Sequence, residues 1–485
     1  MCEILSLKPT AVWKHFHALT QVPRPSGHME KITEFLVNFG KSLNLETLVD
    51  SVGNVIIRKP AKPGMENRKG LILQAHMDMV PQKNNDTVHD FVNDPIQTYV
   101  DGDWVKAKGT TLGADNGMGV AAIMAVLEDD SIQHGYLEAL ITVDEETGMY
   151  GAFGLKGEDI KGEVLLNLDS EDEGELYIGC AGGIDINITF QYAEVAPAEG
   201  RSAVKVVLKG LRGGHSGLEI DKGRGNANKL MVRFLHEAVA QCGARLASMH
   251  GGNMRNAIPR EAEAVITVPA EKKEDVFKLA AEFEALFAEE YKTIEENISL
   301  KAEEVALPSA EMPEEMQNKV LNSLYACPNG VFRYIPTIPD TVETSTNLSV
   351  VKAEGGTVSV QFLTRSSSDS MKMFLAKSIE SCFTLAGAKV EMSGAYSGWQ
   401  PNVDSAILKS MREAYKNQFG VEPAVKVVHA GLECGIIGAN VPGLDMISFG
   451  PTLRSPHSPD EKVLIPTVEK FYDFLVKSIE NAPLK

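Results

Sequence analysis

Histidine and carboxylate side chains recur at several places along the chain, in residue types that bind divalent metal ions. Imidazoles and carboxylates are ligands that borderline-hard divalent cations select. Several such groups at the ends of secondary-structure elements indicate a hydrolase that uses two metal ions. The residues concerned are His76, Asp78, Asp115, Glu145, Glu146, Asp169 and His457.

His76 and Asp78 stand two positions apart at the end of an apolar run, residues 70–74. On a strand, residues i and i+2 face the same side, so both side chains would reach one site. A ligating histidine usually donates its other N–H to a carboxylate, and Asp78 is the predicted partner. The alternative is an ordinary strand-end histidine that is hydrogen-bonded in a loop.

Asp115 directly precedes an apolar segment, residues 117–127, that predicts a buried helix. Its carboxylate could cap that helix, or could bridge two metal ions about 3.5–4 Å apart. Glu145 and Glu146 follow the predicted strand 137–143 and enter a glycine-containing turn. They could place a metal ligand beside a general base, or form a solvated acidic turn.

Asp169 ends the predicted strand 164–168 and offers a further carboxylate, whereas the acidic residues 171–173 after it predict a solvated loop. His457 lies between two prolines, Pro456 and Pro459. Prolines restrict the chain and lower the entropy cost of holding a ligand. A rigid surface turn is the alternative for this segment.

The elements that must position these residues alternate between strands and helices, which predicts an α/β layer with a mostly parallel sheet. The candidate ligands then fall at the carboxyl ends of strands, where open α/β sheets place their ligands. After residue 184 the pattern changes to α+β and returns to strand–helix alternation at about residue 395. We therefore expect one domain from residues 1–184 and 395–485, and a second, inserted domain at 185–394.

Composition excludes several classes of function. The 485 residues carry a net charge of -19, which argues against nucleic acid and anionic membranes as partners. No apolar stretch approaches the roughly 20 residues of a membrane span, and the N-terminus lacks the pattern of a signal peptide. Six scattered cysteines, Cys2 among them, indicate reduced thiols in the cytoplasm and neither a disulfide scaffold nor a thiolate zinc site.

Other familiar catalytic signatures are missing from the sequence. The run Gly213–Gly217 resembles the nucleophile elbow of serine hydrolases, but Leu218 replaces the required glycine, so we reject a nucleophilic serine. There is no phosphate-binding or dinucleotide-binding glycine loop. His215 in this run and Arg365 after a later strand could contact a substrate or serve structural roles.

Taken together, these motifs resemble those of the M20 family of metallopeptidases, and within it the branch of aminoacyl-histidine dipeptidases. The resemblance covers the whole chain and includes runs outside the candidate ligands. The runs and residues that carry the resemblance are His76–Pro81, Asn84–His89, Gly113–Gly117, Glu145–Glu146, Asp169, Gly213–Gly217, Gly251–Asn253, Arg255–Arg260, Gly398–Pro401 and Ala430–Gly435.

The resemblance implies a di-zinc catalytic domain with an inserted lid and dimerisation domain, with manganese or cobalt as alternative metals. It implies that His76 and Asp169 hold one ion, that Glu146 and His457 hold the other, and that the Asp115 carboxylate bridges them. It also implies a cis peptide bond between Asp115 and Asn116. Asp78 would orient His76, and Glu145 would act as the general base. His215 and Arg365 would bind the substrate.

The implied activity is the hydrolysis of unblocked dipeptides, including Xaa-His types such as β-alanyl-histidine, by a cytoplasmic homodimer. An N-acyl-amino-acid deacylase or a tripeptidase on the same scaffold is the enzymatic alternative. A non-catalytic metal-binding or assembly protein is the alternative from another class. The intact pair Glu145–Glu146 argues against it, because a structural metal site has no use for a base.

Overall fold

A computed structural model describes residues 3–485. Met1 and Cys2 lie outside the described residues, and so does the thiol predicted at Cys2. Three short 3-10 helices span Glu3–Ser6, Gly157–Asp159 and Ala270–Lys272. The α-helices are α1 Thr10–Thr20, α2 Glu30–Ser42, α3 Ala114–Glu128, α4 Tyr150–Gly154, α5 Ala227–Cys242, α6 Lys273–Glu290, α7 Glu314–Ala326, α8 Asp369–Leu385, α9 Ala406–Phe419, α10 Glu433–Asn440 and α11 Ile465–Glu480.

Within residues 3–485 the strands form four sheets, two of them large. In chain order they are β1 Glu46–Val49, β2 Val55–Lys59, β3 Leu71–His76, β4 Thr98–Asp101, β5 Trp104–Ala107, β6 Leu137–Thr142, β7 Val164–Asn167, β8 Glu175–Cys180, β9 Gly182–Gln191, β10 Arg201–Lys209, β11 Gly214–His215, β12 Arg245–Gly251, β13 Ala257–Ile258, β14 Ala262–Pro269, β15 Ser299–Val305, β16 Gly330–Tyr334, β17 Val342–Glu354, β18 Thr357–Ser366, β19 Lys389–Tyr396, β20 Ala424–Val428, β21 Asp445–Ser448, β22 Leu453–Arg454 and β23 Lys462–Leu464.

The chain divides into two compact units. Unit 1 contains the chain up to Cys180 together with Trp399–Val427 and Leu432–Lys485, and unit 2 contains Ala181–Gly398 and Val428–Gly431. Cys180 and Trp399, the last residue of unit 1 before the insertion and the first after it, exchange two backbone hydrogen bonds of 3.0 and 2.9 Å. The insertion therefore starts and finishes at neighbouring positions of unit 1.

Unit 1 is built on an eight-stranded sheet with the order β1-β2-β6-β3-β7-β21-β8-β20. The central strands β6, β3, β7 and β21 run parallel, while β1, β2 and β8 pair antiparallel with their neighbours. The predicted α/β class is confirmed, with a mixed sheet. Antiparallel pairing of β1 and β2 follows from the short turn that joins them, since parallel strands need a long crossover.

Residue type explains why the centre of this sheet is buried. Every residue of β3, β6 and β7 is buried, as expected of parallel strands covered on both faces. Helix α3, made almost entirely of small and apolar residues, packs against β3 and against α1. This packing holds α3, whose first turn contains Asp115, against the strand that ends in His76.

Unit 2 contains a sheet with the order β15-β10-β14-β12-β17-β18-β9-β19, to which β16 adds through β17. The pairs recorded between these strands are antiparallel, and helices α5 and α8 pack on the sheet. The predicted α+β texture of this region is therefore present. No helix within residues 3–485 is both long and apolar enough to cross a membrane.

Candidate metal centre

The carboxyl ends of the parallel strands bring most of the predicted ligands to one edge of the unit 1 sheet. His76 is the last residue of β3, Glu146 follows β6 in the next turn, and Asp169 stands two residues after β7. The register aligns these ends, with His76 opposite Thr142. Local strand order and length therefore place three side chains from distant segments beside one another.

Asp115 lies at the start of α3, between two histidines. Its Oδ1 is 3.1 Å from Nε2 of His76, and its Oδ2 is 3.2 Å from Nε2 of His457. Each histidine has a second carboxylate beside it: Asp169 Oδ1 is 3.4 Å from His76 Nε2, and Glu146 Oε2 is 2.9 Å from His457 Nε2. The site thus consists of two histidine–carboxylate pairs that share Asp115.

Charge within this group shifts the pKa of both histidines. Burial alone would lower the pKa of His76, but Asp169, Asp115 and Asp78 raise it well above its usual value. Hydrogen bonds to Asp115 and Glu146 raise the pKa of His457 to about 11. These shifts show that the carboxylates create a strongly negative field at the nitrogen atoms, a field that attracts cations.

The donor set fits a divalent metal. Ligand atoms of His76, Asp115 and Glu146 lie within 4.8 Å of one another. Oε1 of Glu146 is buried and has no hydrogen-bond partner, although a buried carboxylate oxygen normally finds one. Nitrogen and oxygen donors of this kind accept zinc, manganese or cobalt. A cation at this place would satisfy the oxygen and offset the crowding of negative charge.

Asp78 connects His76 to the turn that carries the two glutamates. Nδ1 of His76 lies 3.2 Å from the backbone oxygen of Asp78 and 3.4 Å from its Oδ1, which favours a proton on Nδ1 and leaves the Nε2 lone pair for a metal. The Asp78 carboxylate also accepts hydrogen bonds from the backbone N–H groups of Glu145 and Glu146, at 3.0 and 3.3 Å, and from the hydroxyl of Ser26, at 2.8 Å.

Glu145 sits in the same turn but makes no hydrogen bond to a histidine of the site. Burial raises the pKa of its carboxyl group well above the usual value, and the nearby charges of Asp169 and Glu433 raise it further. A carboxylate whose pKa is raised by burial is suited to taking up a proton. Glu145 therefore lies in the same turn as Glu146, and its carboxyl group has a raised pKa.

The peptide bond between Asp115 and Asn116 is cis, as the family resemblance implied. The side-chain amide of Asn116 donates a hydrogen bond to Asp169. Both residues next to this bond thus contact the candidate ligands.

The two predicted substrate-binding residues lie in unit 2. Nδ1 of His215 accepts hydrogen bonds from the backbone N–H groups of Gly217 and Leu218, at 3.1 and 3.0 Å, which leaves Nε2 as a donor. Burial and the charge of Arg365 lower the pKa of His215 to about 4. Arg365 is buried, donates to the hydroxyl of Tyr396 at 3.1 Å, and its Nε has no partner among the described residues.

His429 lies in the same unit as His215 and Arg365, and it was not predicted from the sequence. It is buried in unit 2, and its Nε2 lies 2.7 Å from the hydroxyl of Ser345. Burial and Arg365 lower the pKa of His429 to about 3. Its position immediately before the run Ala430–Gly435, which carries part of the family resemblance, was the available signal.

Several acidic groups near the centre also differ from expectation. Residues 171–173 form a loop, as predicted, but it is only partly exposed. Burial and the charges of Asp115 and Asp169 raise the pKa of Glu171 to about 8, and Glu173 accepts a 2.6 Å hydrogen bond from the Tyr415 hydroxyl. The adjacent strand ends supply enough cover to bury this loop in part. Glu433, which the sequence did not single out, is fully buried and accepts from Gln74 and Thr142.

Comparison with known proteins identifies a peptidase family and two full-length relatives. Residues 72–481 match the model of peptidase family M20/M25/M40. The chain is 46% identical to the cytosol non-specific dipeptidase of Escherichia coli K12 over 485 residues, which is 100% of each chain. The crystal structure of the aminoacylhistidine dipeptidase from Vibrio alginolyticus superposes with a TM-score of 0.95 at 47% identity, covering 100% of this chain and 99% of that one.

A more distant solved structure shares the fold alone. The aminopeptidase PepT from Bacillus cereus ATCC 10987 matches with a TM-score of 0.58 at 16% identity, over 98% of this chain and 99% of that one.

Proposed function

Because this chain belongs to the peptidase family M20/M25/M40, we propose that it hydrolyses the peptide bond of unblocked dipeptides, including Xaa-His types such as β-alanyl-histidine. The names of the two full-length relatives, a non-specific dipeptidase and an aminoacylhistidine dipeptidase, support this substrate class. The observation that carries the proposal is the division of the Asp115 carboxylate between two histidine–carboxylate pairs. This arrangement suits a two-metal hydrolase.

Two divalent ions would be held by the side chains of this centre. We assign His76 and Asp169 to one ion, Glu146 and His457 to the other, and Asp115 to both. Zinc fits the mixed nitrogen and oxygen donors, with manganese or cobalt as alternatives. When bound, such ions polarise the scissile carbonyl and the attacking water.

Glu145 acts as the general base and then as the general acid. Its carboxylate takes a proton from the attacking water as the new C–O bond forms, and it gives that proton to the amide nitrogen as the C–N bond breaks. Asp78 positions the proposed metal ligand His76 and the base Glu145 together, since it contacts His76 and accepts the backbone N–H of Glu145. The products are two free amino acids.

His215 and Arg365 bind the substrate. A neutral His215 with a free Nε2–H can donate a hydrogen bond to the carbonyl oxygen as negative charge develops there. Arg365 offers a guanidinium with an unpartnered N–H, which suits the C-terminal carboxylate of a dipeptide. Both side chains are held in place by neighbours in unit 2.

We also propose that residues 185–394 act as a lid and dimerisation domain on a catalytic domain of residues 1–184 and 395–485. Exposed aromatic side chains of unit 2 support a self-association surface: Phe332 and Phe374 are 47% and 56% exposed, with ring centroids 5.9 Å apart. The active form would be a cytoplasmic homodimer. Free thiols at Cys242, Cys327, Cys382 and Cys434 are consistent with a reducing compartment.

A substrate panel tests the proposal. The purified protein is assayed on a free dipeptide, the same dipeptide with an acetylated N-terminus, and a tripeptide, while its metal content is measured. We expect the free dipeptide to be preferred and exhaustive chelation to abolish turnover. Preference for the acetylated form or the tripeptide would instead favour a deacylase or a tripeptidase, and full activity without metal would exclude the metal mechanism.

A further inference from the structure

A buried carboxylate outside the proposed ligand set holds the segment that leads into Asp115. Glu461 is 2% exposed, and its two oxygens accept hydrogen bonds from four consecutive backbone N–H groups. Oε2 accepts from Leu112 and Gly113 at 2.7 and 2.9 Å, and Oε1 accepts from Ala114 and Asp115 at 2.8 and 3.1 Å. The last of these donors is the backbone of the residue shared by the two histidine–carboxylate pairs.

A buried cation, the guanidinium of Arg24, also holds the same segment. The guanidinium of Arg24 donates to the carbonyl of Gly113 and to the carbonyls of Met77 and Asp78, the latter two at 3.0 and 3.1 Å. Gly113 has a φ of +69°, and a Cβ there would stand 2.6 Å from Nη2 of Arg24. A side chain at this position would therefore displace the guanidinium.

Glu461 also belongs to the segment of His457. Only three residues separate them, and the backbone N–H of Glu461 donates to the carbonyl of Ser458 at 2.9 Å. One side chain thus links the backbone of Asp115 to the segment that carries His457, although Asp115 and His457 stand 342 positions apart along the chain.

We propose that Glu461 is a positioning residue of the metal centre, which sets the orientation of the Asp115 carboxylate relative to His457. The inference rests on the proposed function, because it concerns the same side chains. Since Asp115 is assigned to both ions, loss of Glu461 weakens the binding of both. An outer-shell partner of a metal ligand typically contributes 10–100-fold to metal affinity.

The four donors match the two oxygens of a carboxylate, each of which accepts two N–H groups. A glutamine at position 461 would keep one carbonyl oxygen but would turn an N–H₂ donor toward two backbone N–H groups, leaving them without an acceptor. Glu461→Gln therefore changes the hydrogen bonds with almost no change of volume. Glu461→Asp keeps the carboxylate but shortens the side chain by one methylene, so it serves as the conservative variant.

Glu138 provides a matched control in the same unit. It is fully buried, accepts backbone N–H groups of Lys161 and Gly162 at 2.9 and 3.0 Å, and pairs with Arg58 at 2.9 Å. It stands near the start of β6, whereas Glu145 follows the end of that strand, roughly 20 Å away at the usual rise per residue. Glu138→Gln therefore disturbs a comparable buried carboxylate away from the metal centre.

The experiment measures zinc binding to the metal-free full-length protein by calorimetric titration, with thermal unfolding of each metal-free variant as the measure of folding. We expect Glu461→Gln to weaken zinc affinity about 10–100-fold, Glu461→Asp to recover part of that loss, and Glu138→Gln to leave the affinity unchanged even where it lowers the unfolding temperature. If Glu461→Gln does not fold, the comparison is made between Glu461→Asp and Glu138→Asp.

The outcomes separate this inference from the proposed function. Wild-type zinc affinity in a folded Glu461 variant overturns the positioning role alone, and so does an equal loss of affinity in the matched Glu138 variant. If the wild-type protein binds no divalent metal, the proposed metal mechanism and the positioning role are both wrong. If zinc binds as expected but no dipeptide is hydrolysed, only the proposed substrate is wrong.

Discussion

Nε2 of His457 lies 3.2 Å from Oδ2 of Asp115, although the two residues stand 342 positions apart in sequence. The segment of His457 returns to unit 1 only after the whole of the insertion has been traversed. A chain that stops before this segment would retain His76 and Asp115 but would lack one of the two histidine–carboxylate pairs.

Replacement of Glu145 by alanine should abolish turnover and leave metal binding intact. The side chain is assigned to proton transfer and to no ion, so we expect kcat to fall by about 10²–10⁴-fold, the usual contribution of general acid–base catalysis. Steady-state kinetics and metal analysis on the same preparation check this. Near-wild-type kcat in the variant would exclude Glu145 as the base.

His457→Ala and Asp115→Ala should differ in the number of ions that they lose. His457 contacts one side of the shared carboxylate and its side chain is 53% exposed, so its removal should release one ion at little cost to folding. Asp115 faces both histidines, so its removal should release both ions. Metal content after dialysis distinguishes the two, and equal stoichiometry in both variants would contradict the shared role of Asp115.

His429 should make the protein less stable in acid. Its pKa is lowered to about 3 in the folded state from an ordinary value of 6.5, so between these values the unfolded chain binds more protons. The free energy of unfolding therefore falls as pH drops from 6.5 toward 3, by at most about 1.4 kcal/mol per pH unit from this residue.

The variant His429→Gln removes this titration and keeps a polar side chain that can contact Ser345. Urea unfolding at pH 7 and pH 5 should show a smaller loss of stability in acid for the variant than for the wild type. Because other groups titrate in the same range, the difference between the two proteins is the informative quantity. Parallel pH dependences would show that folding does not change the pKa of His429.

Arg365→Lys should raise KM for dipeptides by about tenfold and change kcat less. Lysine keeps the positive charge but loses the planar fork that binds a carboxylate through two N–H groups. A dipeptide with an amidated C-terminus supplies the control, since its KM should respond little to the substitution. If both substrates lose affinity equally, Arg365 acts through the structure of unit 2 and not through the substrate carboxylate.

The candidate ligands were accessible from the sequence because each combines a metal-binding residue type with the end of a predictable element. His76 and Asp169 follow apolar strands that are buried as predicted, and Asp115 opens an apolar helix. The pairing of particular ligands with particular ions depends on distances between segments, and it came from the family resemblance alone.

Arg24 and Glu461 were not predictable in the same way. Their partners are backbone carbonyl and N–H groups, which every segment of the chain possesses, so their residue types carry no signal of position. A charged residue whose sequence context gives no sign of a buried partner is usually interpreted as exposed. Both side chains are buried because they bind backbone groups of the segment around Gly113, and this is known only from the structure.

The long strand β17 was missed for a related reason. Its buried residues include Thr344, Ser345, Thr346 and Asn347, which give no apolar alternation. Hydroxyl pairs satisfy the polar groups within the sheet: Thr344 lies 2.8 Å from Ser366, and Thr346 lies 2.9 Å from Thr364. A polar strand of this kind becomes recognisable only when its partner β18 is known.

The hydrogen-bonded pair Cys180 and Trp399 has a consequence for how such a protein can change during evolution. Because the chain departs from the sheet and rejoins it at adjacent residues, the span between them can lengthen, shorten or be exchanged without moving either end. The entropy of closing a loop grows only slowly with its length. The insertion can therefore change in length or sequence while the candidate ligands of unit 1 keep their places.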